Sequence, residues 1–201
     1  MKLFSRIIST LFHPLLMPTI GLFLIFNAGS HISFMPIELR RIIYLVVFIS
    51  SCLLPITLIP LFLMLKVIKN VYMENRRERI MPIFTAGFFY FLGYFLLKRI
   101  PSIPPFLESY VLATLIAVYS ALIITFFWKI SIHMIGIGGL TGGILALSLR
   151  FGLDLWVWFS IALVIAGLIG TARLYLKAHS PAQIYAGFAT GFFLVLLSIL
   201  M

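Results

Sequence analysis

Ala172-Arg173-Leu174-Tyr175-Leu176-Lys177-Ala178-His179-Ser180-Pro181-Ala182-Gln183 sets a guanidinium, an ammonium and an imidazole into a chain otherwise made mostly of hydrocarbon. Charged groups at membrane depth are expensive unless paired, so they point first to function. Five residues separate Arg173 from His179. Ser180-Pro181 then reads as a helix start, with Ser at the N-cap and Pro at N1. His179 therefore stands just outside a helix N-terminus, where free N–H groups and the helix dipole favour an anion. A cation, an imidazole and a helix start in one place predict a phosphate site.

Outward from that stretch the composition decides the class. Of the 201 residues, 63% are hydrophobic and 10% charged, and several apolar runs approach the length needed to cross a bilayer. The expected fold is an all-α polytopic transmembrane helix bundle of six or seven spans. It forms one integral membrane domain over residues 1–201, with a motif-bearing core over residues 66–201. The spans read as Arg6–Asn27, Ile42–Leu65, Pro82–Leu97, Leu107–Trp128, Met134–Leu149, Leu155–Leu176 and Pro181–Met201. The short third and fifth leave a re-entrant alternative open, and with it a count of six. Lys2 and Arg6 precede an apolar run with polar interruptions, read as a retained first helix rather than a removed signal peptide. Cys52 is alone, so no disulfide forms within the chain. The net charge of +10 is scattered over short loops, which favours lipid headgroups or a phosphate over nucleic acid.

The loops after spans two, four and six carry three polar clusters, which the span count puts on one face of the membrane. The first, Glu74-Asn75-Arg76-Arg77-Glu78-Arg79-Ile80-Met81-Pro82, follows Lys66 and Lys69. Arg76 and Arg79 share a helical face, and Glu74 and Glu78 have partners at helical spacing. The cluster reads either as a solvated positive-inside loop or as arginines reaching inward to phosphate. The second is Lys129-Ile130-Ser131-Ile132-His133, followed by Gly136, Gly138, Gly139, Gly142 and Gly143. Ser131 is a plausible N-cap and phosphate donor, His133 falls in the next helix's first turn, and the glycines read as close helix packing. His13 and His31 read as structural. The third cluster is the opening stretch. Its plainer reading is a snorkelling Arg/Lys pair, with Ser180 and Gln183 forming a capping box.

Together the clusters resemble the three-part signature of the type 2 phosphatidic acid phosphatase superfamily, the integral-membrane lipid phosphate phosphatases. Lys69 and Arg76 have the six-residue gap of the first motif, and Arg79 with Pro82 is a second candidate for its arginine. Ser131 and His133 match the second motif, with Ile132 in place of Gly. Arg173 and His179 match the third, with Ala172 replacing Ser and Gln183 replacing Asp. The resemblance runs from about Lys66 to Met201 and is that of a divergent branch. It implies a metal-independent phosphatase without a cofactor, acting on a phosphorylated membrane lipid in a bacterial cell membrane. By resemblance, His179 is the nucleophile that becomes phosphohistidine, and His133 is the general acid. Arg173, Lys69, Arg76 or Arg79, and Ser131 hold the phosphoryl oxygens. Arg77, Lys129 and Gln183 complete the candidate binding set. The chain's five carboxylates are not clustered, so the cations carry the electrostatics.

Gln183 stands where the family has the acid that orients the nucleophilic imidazole. An amide can accept the same N–H bond but brings no charge. The same exchange in a serine-protease triad lowers turnover about ten-thousandfold. A catalytically weak or inactive lipid-binding or scaffold protein is therefore the alternative, and an anion transporter with broken helices a further one. Prenyl and alcohol phosphotransferases need paired aspartates for metal, and Asp154 is the only aspartate. The motif face carries ten of the Lys and Arg residues against five opposite, but only six once Lys69, Arg76, Arg79 and Arg173 are set aside as ligands. The side the site faces, the lipid it takes and the oligomeric state stay open.

Overall fold

The structure, a computed structural model, describes residues 2–29, 34–101 and 103–201; His31 lies outside them. The fold is all-α, with no strand among the described residues. Among the described residues, seven helical segments are long and apolar enough to cross a membrane, as expected for an integral membrane bundle.

Prolines break the first two spans. In the first, α1 (Lys2–Leu11) gives way to a 3₁₀ turn (Pro14–Leu16) and then α2 (Met17–Asn27). Pro14 lacks the N–H that a continuous helix would need, and His13 caps the new start by accepting the Leu15 N–H on Nδ1 at 3.4 Å. The second span begins as α3 (Ile37–Phe48), widens into a π turn (Ile49–Leu53), and continues as α4 (Leu54–Thr57) and α5 (Ile59–Met64). Pro55 cannot donate to the carbonyl four residues back, and the wider turn lies just before it. Inside that turn Ser51 Oγ donates to Leu15 O at 3.1 Å, tying the two breaks together.

The third span differs from expectation. Helix α6 runs Arg76–Lys98, starting six residues before Pro82, because Asn75 caps it through Oδ1 to the Arg77 N–H at 3.1 Å. The charged run is thus the helix's first turn rather than a loop. Helix α7 (Pro105–Phe127) follows, then α8 (Ile132–Phe151), α9 (Trp156–Tyr175) and α10 (Pro181–Leu200). The third and fifth spans, at 23 and 20 residues, are both long enough to cross.

Helix α8 is central: 67% of its most apolar window is buried, against 44% or less in the other spans. It meets α10 backbone to backbone. A Cβ on Gly138 or Gly142 would run into the Phe188 or Phe192 carbonyl, and one on Gly191 into the Ile135 carbonyl. A Cβ on Gly187 would lie 2.7 Å from Ser131 O. Small residues four apart on both helices allow this approach, which sets the start of α8 beside the start of α10.

Candidate active site

The five-residue gap between Arg173 and His179 is one compact turn. Helix α9 ends with the Lys177 N–H donating to Leu174 O at 2.9 Å and the Ala178 N–H to Arg173 O at 3.0 Å. This is a Schellman closure, whose turning position usually takes glycine. Here Lys177 adopts it, with φ of 51°. The chain doubles back, so His179 returns over the last turn of α9 and next to Arg173.

Helix α10 then fixes the imidazole. Ser180 Oγ accepts the Gln183 N–H at 3.4 Å, and Gln183 Oε1 accepts the Ser180 N–H at 3.2 Å, completing the expected capping box. The same Oε1 lies 3.0 Å from His179 Nδ1. A backbone N–H can only donate, so the amide must turn its oxygen toward it, and Nδ1 must carry the proton. The Nε2 lone pair is left pointing at Arg79, whose Nη1 donates to it at 3.3 Å. Arg79 is itself held by its Nε donating to Met73 O at 2.9 Å. Met73 has φ of 46°, a left-handed conformation costly for a side-chain-bearing residue.

These groups head a cavity of about 1040 Å³, whose polar end is lined by Arg79, Lys129, His133, Arg173 and His179. His133 Nε2–H donates to Ser9 O at 3.1 Å, so its Nδ1 keeps the lone pair. The His13 ring stands edge-on to His133, with centroids 5.4 Å apart. Arg173 Nε is buried without a hydrogen-bond partner. Burial, then the Arg79 and Arg173 charges, push the His179 imidazole down to about 3 against the opposing Gln183 bond, so the ring is neutral at ordinary pH. Burial and the same two guanidiniums lower Lys129, while Glu74 works the other way. Among the described residues, no three His, Cys, Asp or Glu side chains converge as a metal site requires.

Of the candidate residues, the structure thus brings His179, His133, Arg173, Arg79 and Lys129 to one cavity, and Gln183 touches it through His179. The others do not line it. Lys69 is exposed, its backbone N–H donating to Glu78 Oε2 at 3.3 Å, and Arg77 is exposed on the outer side of α6. Arg76 donates to Phe126 O, joining α6 to the end of α7. Of the two candidates for the first-motif arginine, Arg79 faces the histidine and Arg76 does not. Ser131 is the N-cap of α8, but its Oγ is fully buried and unpartnered under α10 rather than turned into the cavity. His13 and the Ser9 carbonyl are the additions. The His13-Pro14 pair was the signal available, since proline ends α1 there and leaves the histidine as a cap facing α8.

No family model matches the chain, and neither does any curated protein or solved structure.

Proposed function

We propose that the protein is a membrane-embedded lipid phosphate hydrolase, a divergent relative of the type 2 phosphatidic acid phosphatases, that works through a phosphohistidine at His179 Nε2. One observation carries this reading: a buried, neutral imidazole has one nitrogen fixed as donor by Gln183 and the other aimed as a lone pair at a guanidinium. A substrate phosphate entering between Arg79 and His179 takes over that guanidinium contact. Its other oxygens reach Lys129 and Arg173, whose Nε lacks a partner. Planar guanidiniums suit phosphoryl oxygens and need no reorganisation as charge develops.

In the first step the Nε2 lone pair attacks phosphorus and the P–O bond to the lipid breaks. The substrate enters as its monoanion, and His133 Nδ1 relays the phosphate's own proton to the leaving alcohol oxygen. In the second step a water oxygen attacks phosphorus, the P–N bond breaks, and His133 Nδ1 takes the water proton and returns it to the departing phosphate. The products are lipid alcohol and inorganic phosphate, with both imidazoles restored. Gln183 holds Nδ1–H throughout but leaves the phosphorylated ring's positive charge unbalanced, which slows formation of the intermediate. That same neutrality favours a second reading, a protein that binds lipid phosphates without turnover.

The test is phosphate release by detergent-purified protein, in chelator, from a panel of lipid phosphates, with wild type beside His179→Ala and Arg173→Ala. The proposal expects release that survives chelator and is lost in both variants. Retained lipid-phosphate binding without release by wild type selects the second reading.

A further inference from the structure

The cavity continues well below its polar end. From α6 it is lined by Arg79, Pro82, Ile83, Ala86 and Tyr90, and from α7 by Tyr110, Thr114, Ala117, Val118 and Ala121. Each set repeats at three or four residues, so each is a single helical face. Each covers eleven steps of 1.5 Å, about 16 Å along the bundle. That is roughly half of a ~30 Å hydrocarbon layer, the depth of one leaflet. Ala86, Ala117 and Ala121 keep the passage open, and all three are buried. Thr114 Oγ1 donates to Val111 O at 2.7 Å, so its hydroxyl is spent on its own helix. Tyr90 and Tyr110, 5% and 3% exposed, stand at the far end. The Tyr110 hydroxyl is pinned to Pro18 O at 2.9 Å. At 1040 Å³ the whole space matches the upper end of pockets that enclose drug-sized ligands, about 300–1,000 Å³. A phosphate alone does not need it.

Resting on the phosphatase reading above, we infer that this interior slot receives the substrate's hydrocarbon chain, and that Tyr90 and Tyr110 end it. The substrate class is then amphiphilic phosphate monoesters with a chain about one leaflet deep, and chains of polyprenyl length are disfavoured. The break in the second span offers a route: Pro55, Ile56 and Ile59 line the cavity there, and Ile56 is 46% exposed. A chain moving from bilayer to slot gains little hydrophobic free energy, because lipid tails are as apolar as the lining. Selection comes from fit and from exclusion of chains too long for the floor.

The experiment compares hexyl, tetradecyl and a fifty-five-carbon polyprenyl phosphate on the full-length protein in detergent. It reads phosphate release, and also binding by native mass spectrometry. The slot predicts tetradecyl phosphate ahead of both others by about tenfold in kcat/KM and in binding. It also predicts that Ala86→Phe and Ala117→Phe, made separately, each cut the tetradecyl-to-hexyl ratio by about tenfold. Because the readout is a ratio, a misfolded variant, which loses both substrates, does not mimic it. Equal handling of all three chains, a polyprenyl preference, or ratios unmoved in both variants overturns the slot. Binding in the expected order without release supports the slot and overturns the phosphatase reading instead.

Discussion

His179 Nδ1 and Gln183 Oε1 lie 3.0 Å apart, and the same oxygen accepts the Ser180 N–H at 3.2 Å. A helix cap and the tautomer of the proposed nucleophile are therefore one structure. Gln183→Leu removes the shared acceptor: the α10 cap weakens by about 1 kcal/mol, and the imidazole loses its fixed tautomer. Release is expected to fall by about a hundredfold or more. Gln183→Glu keeps the length and the acceptor and adds the missing charge, and is expected to raise kcat. Steady-state rates of the three proteins check this, and a Glu variant slower than wild type contradicts it.

The depressed His179 makes stability depend on pH in a definite direction. An unfolded histidine takes up a proton below about 6.5, whereas the folded ring stays neutral down to about 3. The unfolded state thus binds more protons between those values, and stability falls as pH drops through the window, by up to ~1.4 kcal/mol per unit. Above about 6.5 the contribution is flat. Thermal unfolding of wild type and His179→Gln across this range should show a shallower acid slope for the variant. Identical slopes contradict the burial of a neutral ring.

Arg79 and Arg77 belong to one charged run but should behave differently. Arg79 joins Met73 O to His179 Nε2, while Arg77 is exposed. Arg79→Ala is expected to lower kcat/KM by about a hundredfold to a thousandfold. Arg77→Ala should stay within about twofold, as surface changes usually do. Phosphate-release assays on the two variants decide it.

The glycines of α8 and α10 also divide. Gly191→Ala drives a methyl into the Ile135 carbonyl, whereas the Cβ of Gly143→Ala meets Val195 Cγ1 at 3.5 Å, an ordinary contact. The first should cost about 1–3 kcal/mol and shift α8 against α10. The second should be neutral or stabilising by up to about 1 kcal/mol, from helix propensity. Unfolding midpoints in detergent measure both.

Hydropathy made the spans legible because a bilayer demands long apolar helices whatever their packing. It failed at the start of α6, where charge looked like loop. Asn75 caps a helix whose first turn ends on the buried Arg79, and capping plus tertiary burial overrode local polarity there. The Ser180–Gln183 cap was readable because both partners lie within one helical turn. The choice between Arg76 and Arg79 was not, since both lie on one face and only the Met73 carbonyl and the distant His179 separate them. Ser131 matched a motif position, yet its hydroxyl is buried without a partner where its carbonyl lies against Gly187 of α10. His13 joined the site because proline ends α1 under α8, a contact of two segments more than a hundred residues apart in sequence.

The central claim is that the phosphoryl group passes through His179 Nε2. It is tested most directly by mixing protein with a radiolabelled tetradecyl phosphate, quenching in alkali within one turnover, and mapping the label by peptide mass spectrometry. Acid-labile, alkali-stable label is expected on His179 in wild type, and none in His179→Asn or Arg79→Ala. Phosphate release by His179→Asn at the wild-type rate, or label on another residue, contradicts it.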